Sequence, residues 1–229
     1  MLILSKDRLW IEDRLIQAGQ LMSLGEMSVQ HARDLNNPLM TIIGYSTIML
    51  RDEKIPVDRR KDLQMIQEEA TRARKITQDI LDYAGESPLS FQVVNVEILL
   101  DQTLSLMDSR IHQAGIVVTK NVQRPLSFIS ADPGQIKQAF VNTMNNAIDA
   151  MPRGGRLEID IGSDNGDVKI TFSDTGDGIS SDTLSHIFDP FYSSRVKDGT
   201  GLGLSLAKSV IQKHQGSMDV SSQIGHGTN

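Results

Sequence analysis

Cysteine is absent from all 229 residues. That excludes a disulfide framework and any thiolate metal site, and it leaves the redox compartment open. An excess of positive charge is missing too. The 23 basic residues are outnumbered by 29 acidic ones, for a net charge of -6, so no electrostatic argument points to nucleic acid as a partner. No apolar run approaches the length of a membrane span, and no signal peptide is visible. Met1-Leu-Ile-Leu4 is too short for either and reads as the cut end of a longer protein or the start of a helix. No membrane contact is expected from this segment, and internal repeats and low-complexity stretches are lacking. What the chain does have is a hydrophobic share of 39%, enough for the cores of one or two domains.

The first ninety residues read as helical. From Ile11 the apolar or small residues step by four and three through Leu15, Ala18, Met22, Gly25, Val29 and Ala32, and past Pro38 through Leu39, Ile43, Ser46 and Leu50. A repeat of about 3.5 residues is a coiled-coil seam. The polar hinge Arg51-Asp-Glu-Lys-Ile-Pro56 ends that helix, because proline disfavours helix in the residue before it. A second helix carries Leu63, Ile66, Ala70, Ala73, Thr77, Ile80 and Ala84 on one stripe, with charged residues on its other faces. Two long antiparallel helices bury such stripes poorly alone. A parallel homodimer that forms a four-helix bundle solves the problem.

Gly85-Glu-Ser-Pro88 reads as a linker, and the pattern beyond it changes. Strands are expected at Phe91–Val96, Ile116–Val122 and Ser127–Ser130, with a helix from Glu97 to about Ala114 between the first two. Asp132-Pro-Gly opens a long helix to Met151. Leu157–Ile161 and Val168–Phe172 alternate as a hairpin turned at Asp164-Asn-Gly-Asp167. A last helix runs from Gly201 to about His214. This is a two-layer α/β domain with helices on one face of a mixed sheet.

Four motifs punctuate that domain: Asn142-Thr-Met-Asn-Asn146-Ala-Ile-Asp149, Asp174-Thr-Gly176-Asp-Gly178, Phe188-Asp-Pro-Phe191 and Gly199-Thr-Gly201-Leu-Gly203. Asn142 and Asn146 lie four apart on one helical face, among apolar neighbours. An amide oxygen at Asn146 suits Mg²⁺, a hard ion that takes oxygen ligands and keeps waters and phosphates. Asp174 ends a strand where an unpartnered carboxylate would be costly, and Gly176 and Gly178 let backbone pass close to a ligand. A calcium loop of the EF type is rejected. Counted from Asp174, its glycine position holds Ile179 and its bidentate position holds Ser185. Gly199, Thr200, Gly201, Leu202 and Gly203 open a helix whose first turn leaves N–H groups for an anion. The stretch between Ile179 and Gly199 reads as a mobile lid, with Phe188 and Phe191 as apolar anchors and Arg195 within reach of phosphate.

In this order, the motifs resemble the ATP-binding domain shared by histidine kinases, type II topoisomerases, heat-shock chaperones and mismatch-repair ATPases, over roughly residues 90 to 229. The resemblance implies ATP and Mg²⁺ as ligands, Asp174 as acceptor for the adenine amino group, and Thr228 of Gly225-His-Gly-Thr228 near adenine. A closing strand beyond Asn229 is expected. The other ATPases carry Glu where this chain has Asn142. An amide cannot take a proton, so efficient ATP hydrolysis of the topoisomerase or chaperone type is not expected.

The helical segment resembles the dimerisation and phosphoacceptor domain of sensor histidine kinases. Its stretch Arg33-Asp34-Leu-Asn36-Asn37-Pro38-Leu follows the pattern His-Glu-x-x-Asn-Pro-Leu, with Asp34, Asn37 and Pro38 in place and Arg33 at the acceptor position. A guanidinium offers no lone pair and cannot attack a phosphate. His31 precedes it by two residues and points to nearly the opposite side of the helix. The class implied is α+β: a helical hairpin dimerising as a four-helix bundle, then a two-layer α/β sandwich of the Bergerat type. Residues 1–20 would be a coiled-coil linker from a missing sensor, 21–85 the hairpin, and 90–229 a C-terminally truncated ATP-binding domain. The resemblance implies a cytoplasmic two-component phosphorelay. Its partners would be a second copy, an upstream sensor domain and a response-regulator receiver domain. Arg33 leaves three readings: a kinase whose acceptor is unusual or lies on another chain, a pseudokinase acting by conformation, or a phosphatase-biased module in which Asn37 positions water.

Overall fold

The computed structural model describes residues 34–52, 54–84, 89–164, 166–192 and 201–229. The seam expected at 11–32 lies outside them. The chain forms two compact units, Met1–Ser87 and Pro88–Asn229. No helix among the described residues is long and apolar enough to cross a membrane.

In the first unit, helix α1 covers residues 34–50 and helix α2 covers Val57–Ala84. Helix ends leave carbonyls without partners. At the end of α1 the Arg60 guanidinium answers this, donating to Leu50 O at 2.6 Å and to Asp52 O at 2.9 Å. Among the described residues between the helices, those fully buried are small or polar, and Leu39, Ile43 and Leu50 are half-buried beside them. Ser46, Ala70 and Thr77 are buried, Gln67 Nε2 donates to Thr47 Oγ1 at 2.6 Å, and the Thr77 hydroxyl donates to Asn36 Oδ1 at 2.7 Å. The stripe expected on α2 needs one correction: Ile66 is 49% exposed, and Gln67 takes the inward place beside it. One residue along a helix is about 100° of rotation, so neighbouring apolar positions cannot both face inward.

The second unit runs β1 (Gln92–Val94), α3 (Val96–Gln113), β2 (Ile116–Val122), β3 (Ile129–Ala131), α4 (Pro133–Ala150), β4 (Gly155–Asp164), β5 (Asp167–Asp174), α5 (Ser181–Leu184), α6 (Gly203–Lys213), β6 (Ser222–Gln223) and β7 (Gly227–Thr228). Its main sheet has the order β2-β4-β5-β7-β6, and β1 and β3 form a separate two-stranded sheet. The pair β2–β4 is parallel and the rest are antiparallel, which makes the mixed sheet that was expected. Alternation along β4 explains the layering: Leu157, Ile159 and Ile161 are buried, while the outward Glu158 and Asp160 accept from Asn121 Nδ2. Helix α4 meets this face with Ile136, Phe140, Met144 and Ile148, spaced by four throughout. Phe140 and Phe172 pack ring to ring at 5.8 Å.

Caps fix where the helices begin. Asn95 accepts from the N–H groups of Glu97 and Ile98 to start α3, and Asp132 accepts from those of Gly134 and Gln135 to start α4. The Asp132 carboxyl is held below its ordinary value, first by the N–H of Ser90, then by those of Gln135 and Gly134 and by His214. His214 Nε2 accepts the Asp132 backbone N–H at 2.9 Å while its Nδ1 donates to Val210 O at 2.7 Å, tying the end of α6 to the start of α4.

Candidate functional site

Helix α4 is the platform on which the sequence motifs meet. Asn142 and Asn146 stand four apart, and Asn146 Nδ2 donates to Asn142 O at 2.8 Å. That bond turns Asn146 Oδ1 away from its own helix as an open oxygen on an exposed side chain. Asn142 Oδ1 accepts from Gln138 at 3.4 Å, and its Nδ2 is buried with no hydrogen-bond partner. The first turn of α6 lies against this pair. A Cβ at Gly203 would sit 3.6 Å from Asn146 Nδ2 and 4.0 Å from Asn142 Cβ, ordinary contact distances that place the start of α6 directly on the pair. Helix α6 begins at Gly203 after Leu202, two residues later than expected, with no side-chain cap. The first N–H groups of a helix have no intrahelical acceptor, and no side-chain cap among the described residues takes them here. Leu202, Leu206 and Ala207 anchor the helix in the interior.

One turn further along α4, the acidic glycine turn packs on Ala150. A Cβ at Gly176 would lie 2.6 Å from Ala150 O, and Asp177 N donates to that same oxygen at 3.1 Å. Asp174 closes β5, with Oδ1 accepting the Gly176 N–H at 2.8 Å. Thr228 stands directly across from it on β7. Gly227 makes that pairing feasible, with φ +91° and a Cβ position only 1.9 Å from Asp174 O. Gly178 adopts φ +70° against Gln223. Both positions demand glycine.

Ser222 is the residue that sequence reasoning missed. Its hydroxyl donates to Gly227 O at 2.8 Å and accepts the Ile179 N–H at 2.9 Å. Since its one hydrogen goes to Gly227, Thr228 is the donor in the 2.8 Å bond between the two hydroxyls. Ser222 thus fixes Thr228 and the loop after Gly178 together. A serine in a polar loop gives no pattern that would mark it.

The expected lid is described only up to Tyr192, and Arg195, Gly199 and Thr200 lie outside the described residues. Its start is more structured than expected, because Ser180 caps the short helix α5. The buried anchor is Ile187 rather than Phe191, which is 61% exposed. Phe188 is half-buried under Lys208, whose Nζ lies 4.1 Å above the ring. Phe191 instead presses its backbone on Gly201, where a Cβ would meet it at 2.5 Å. His186 Nδ1 lies 2.7 Å from Asp189 Oδ2 at the surface. In the first unit, Asp34 and Asn37 are exposed on the opening turns of α1, and Arg33 lies outside the described residues.

Comparison with known proteins matches residues 131–229 to the family described as Histidine kinase-, DNA gyrase B-, and HSP90-like ATPase. Residues 25–85 match the His Kinase A (phospho-acceptor) domain. The chain belongs to the sensor histidine kinases. Among them it is similar to the sensor histidine kinase ZraS of Escherichia coli, 27% identical over 97% of this chain and 48% of that protein. Sporulation kinase C of Bacillus subtilis is 30% identical over 95% of this chain and 50% of its own length. The chain therefore spans about half the length of the curated histidine kinases it matches. Among solved structures, full-length ShkA in complex with AMPPNP superposes with a TM-score of 0.76 at 27% identity, over 89% of this chain and 44% of ShkA. The histidine kinase ThkA in complex with the response regulator TrrA gives 0.66 at 25% identity, over 95% of this chain and 63% of ThkA. The α+β class, a helical region followed by a mixed-sheet ATP-binding domain, is that of these histidine kinases.

Proposed function

We propose that residues 88–229 bind ATP with Mg²⁺ and deliver its γ-phosphoryl group toward histidine, as the catalytic core of a two-component sensor kinase whose final acceptor is an aspartate on a response-regulator receiver domain. The observation that carries this reading is the convergence on α4. Asn142 and Asn146 underlie the first turn of α6, and one turn along the same helix Ala150 supports the turn between Asp174 and Gly178.

In this reading Asp174 accepts the adenine amino group. Thr228 borders the base, and Gly176 and Gly178 let backbone pass beside it. The N–H groups at Gly201, Leu202 and Gly203 receive phosphate oxygens, since a helix N-terminus favours anions. Gly199, Thr200 and Arg195, which precede that turn in the sequence, belong to the same phosphate-binding reading. The partnerless Asn142 Nδ2 is a donor ready for the ligand. Asn146 Oδ1 fits Mg²⁺. No cluster of three His, Cys, Asp or Glu occurs among the described residues, so the ion would be held mainly by phosphates and water, its usual manner. Mg²⁺ there would neutralise phosphate charge. In the hairpin, Asp34 and Asn37 would serve an acceptor at position 33, where this chain has Arg33.

ShkA was solved with a nucleotide analogue and ThkA with a response regulator, which supports both ends of the proposal. Likeness to kinases in both matched regions favours phosphotransfer over a module that acts by conformation alone. Calorimetric titration with MgATP tests the site. Asp174→Asn turns part of the acceptor into a donor facing a donor and should weaken binding by about 1–3 kcal/mol. Equal affinity in wild type and variant would remove Asp174 from the site.

A further inference from the structure

From residue 35 to residue 50, α1 contains no charged side chain. Its inward stripe toward α2 is Leu39, Ile43, Ser46 and Leu50. A second stripe, Leu35, Pro38, Ile42, Tyr45 and Met49, steps by three, four, three and four along the exposed side, with Leu35 at 52% and Tyr45 at 66% exposure. That spacing is the seam that receives another helix. Met49 brings it to an apolar groove of about 370 Å³ shared with Ile55, Leu63 and Ile66. A helix without charges and apolar on two sides is built to be covered on both. The flanking α2 face carries charge of both signs, in Arg59, Asp62, Glu69 and Arg72, which suits another helical hairpin at the rim.

Chemistry decides which hairpin. The described part of the proposed nucleotide site brings together Asn142, Asn146, Asp174 and the start of α6, while in the sequence Asp34, Asn37 and Pro38 follow an acceptor position that holds Arg33. Arginine has no lone pair to offer, so a dimer of two identical chains has no nucleophile at that place. We propose that this chain is a donor kinase: its nucleotide site phosphorylates a histidine on a different hairpin chain, one with imidazole at the position of Arg33, docked along Leu35, Ile42, Tyr45 and Met49. In the transfer, the free ring nitrogen of that imidazole attacks the γ-phosphorus of ATP. The bond from γ-phosphorus to the β,γ-bridging oxygen breaks and ADP leaves with its electron pair. The proton on the other ring nitrogen passes to the neighbouring carboxylate. This inference rests on the ATP reading above.

The test supplies the missing acceptor on a second chain. Arg33→His/Asp174→Asn carries an acceptor but lacks the adenine contact, and a size tag separates it from the wild type. Each protein alone, and the two mixed, are incubated with Mg²⁺ and γ-labelled ATP. The mixture should put acid-labile label on the double variant at least about tenfold above either protein alone, since only there do a nucleophile and a working site meet. Tyr45→Glu or Ile42→Glu in the wild-type partner should abolish the transfer without changing MgATP affinity, because a charge placed in the seam opposes docking. An unlabelled mixture, with MgATP binding by the wild type verified, overturns this inference and leaves the ATP reading standing. A wild type that fails to bind MgATP overturns both. Transfer that survives Tyr45→Glu and Ile42→Glu removes the docking face.

Discussion

Among the described residues of the hairpin the most deeply buried are Ser46, Ala70 and Thr77, while Leu35, Met40, Ile42, Tyr45, Ile48, Met49, Met65 and Ile66 lie in the open. In residues 88–229 a set of large apolar side chains, Leu100, Met144, Leu157, Ile159 and Ile161, is sealed between α3, α4 and the sheet, although Val93, Leu106 and Phe128 stay exposed. The second unit has closed its own core. In the first, the fully buried described residues are small or polar, Leu39, Ile43 and Leu50 are half-buried, and Leu35, Ile42, Tyr45 and Met49 face outward. Affinity for nucleotide therefore belongs to a self-sufficient unit, and assembly belongs to one that is incomplete alone.

The largest expected effect breaks the self-sufficient half. Leu157→Ala empties a fully buried position on β4 and should cost about 2–5 kcal/mol, read as the loss in denaturant midpoint of the second unit's transition. In the hairpin the matching experiment removes a polar contact. Thr77→Val leaves Asn36 Oδ1 without its 2.7 Å bond and should cost about 1–2 kcal/mol, seen as earlier helix loss by circular dichroism. If Thr77→Val costs as much as Leu157→Ala, the two interiors are not as different as described.

A smaller effect sits at the start of α4. Asp132→Ala removes the cap of α4 and should cost about 1 kcal/mol. The sign with pH follows from the carboxyl being held below its ordinary value of 3.8. The fold favours the ionised form, so this contribution is fully present above that value and disappears as pH falls through the lowered one. Asp132→Asn keeps the capping oxygen and should flatten the acid limb of the stability profile below about pH 4. Stability of the Asn variant that still tracks the wild type in acid would assign that limb to other groups.

Regular periodicity made much of the fold legible. Strand β2 occupies Ile116–Val122 as expected, and the hairpin β4–β5 turns between Asp164 and Asp167, with Gly166 at a φ of +96° that glycine adopts at no cost. The misreadings came where a pattern was ambiguous or too short. Helix α1 is apolar on two sides, so the sequence supports either register, and the inward one drew all the attention. Ile66 and Gln67 exchanged roles because hydropathy cannot see that Gln67 finds Thr47. Helix α5 spans four residues, less than a readable period. In the candidate site, the glycines and asparagines announce themselves by order and spacing. Ser222 and Lys208 do not, since their importance comes from where distant strands and helices bring them.

The central claim is that the proposed nucleotide site belongs to a chain whose hairpin has no histidine at the acceptor position. Saturating the wild type and Arg33→His with γ-labelled MgATP and measuring acid-labile label tests it most directly. The account predicts none on the wild type and label at position 33 of the variant, where Asp34 stands beside the new imidazole to hold its N–H and sharpen the opposite nitrogen. Label on the wild type that maps to His31 would contradict it.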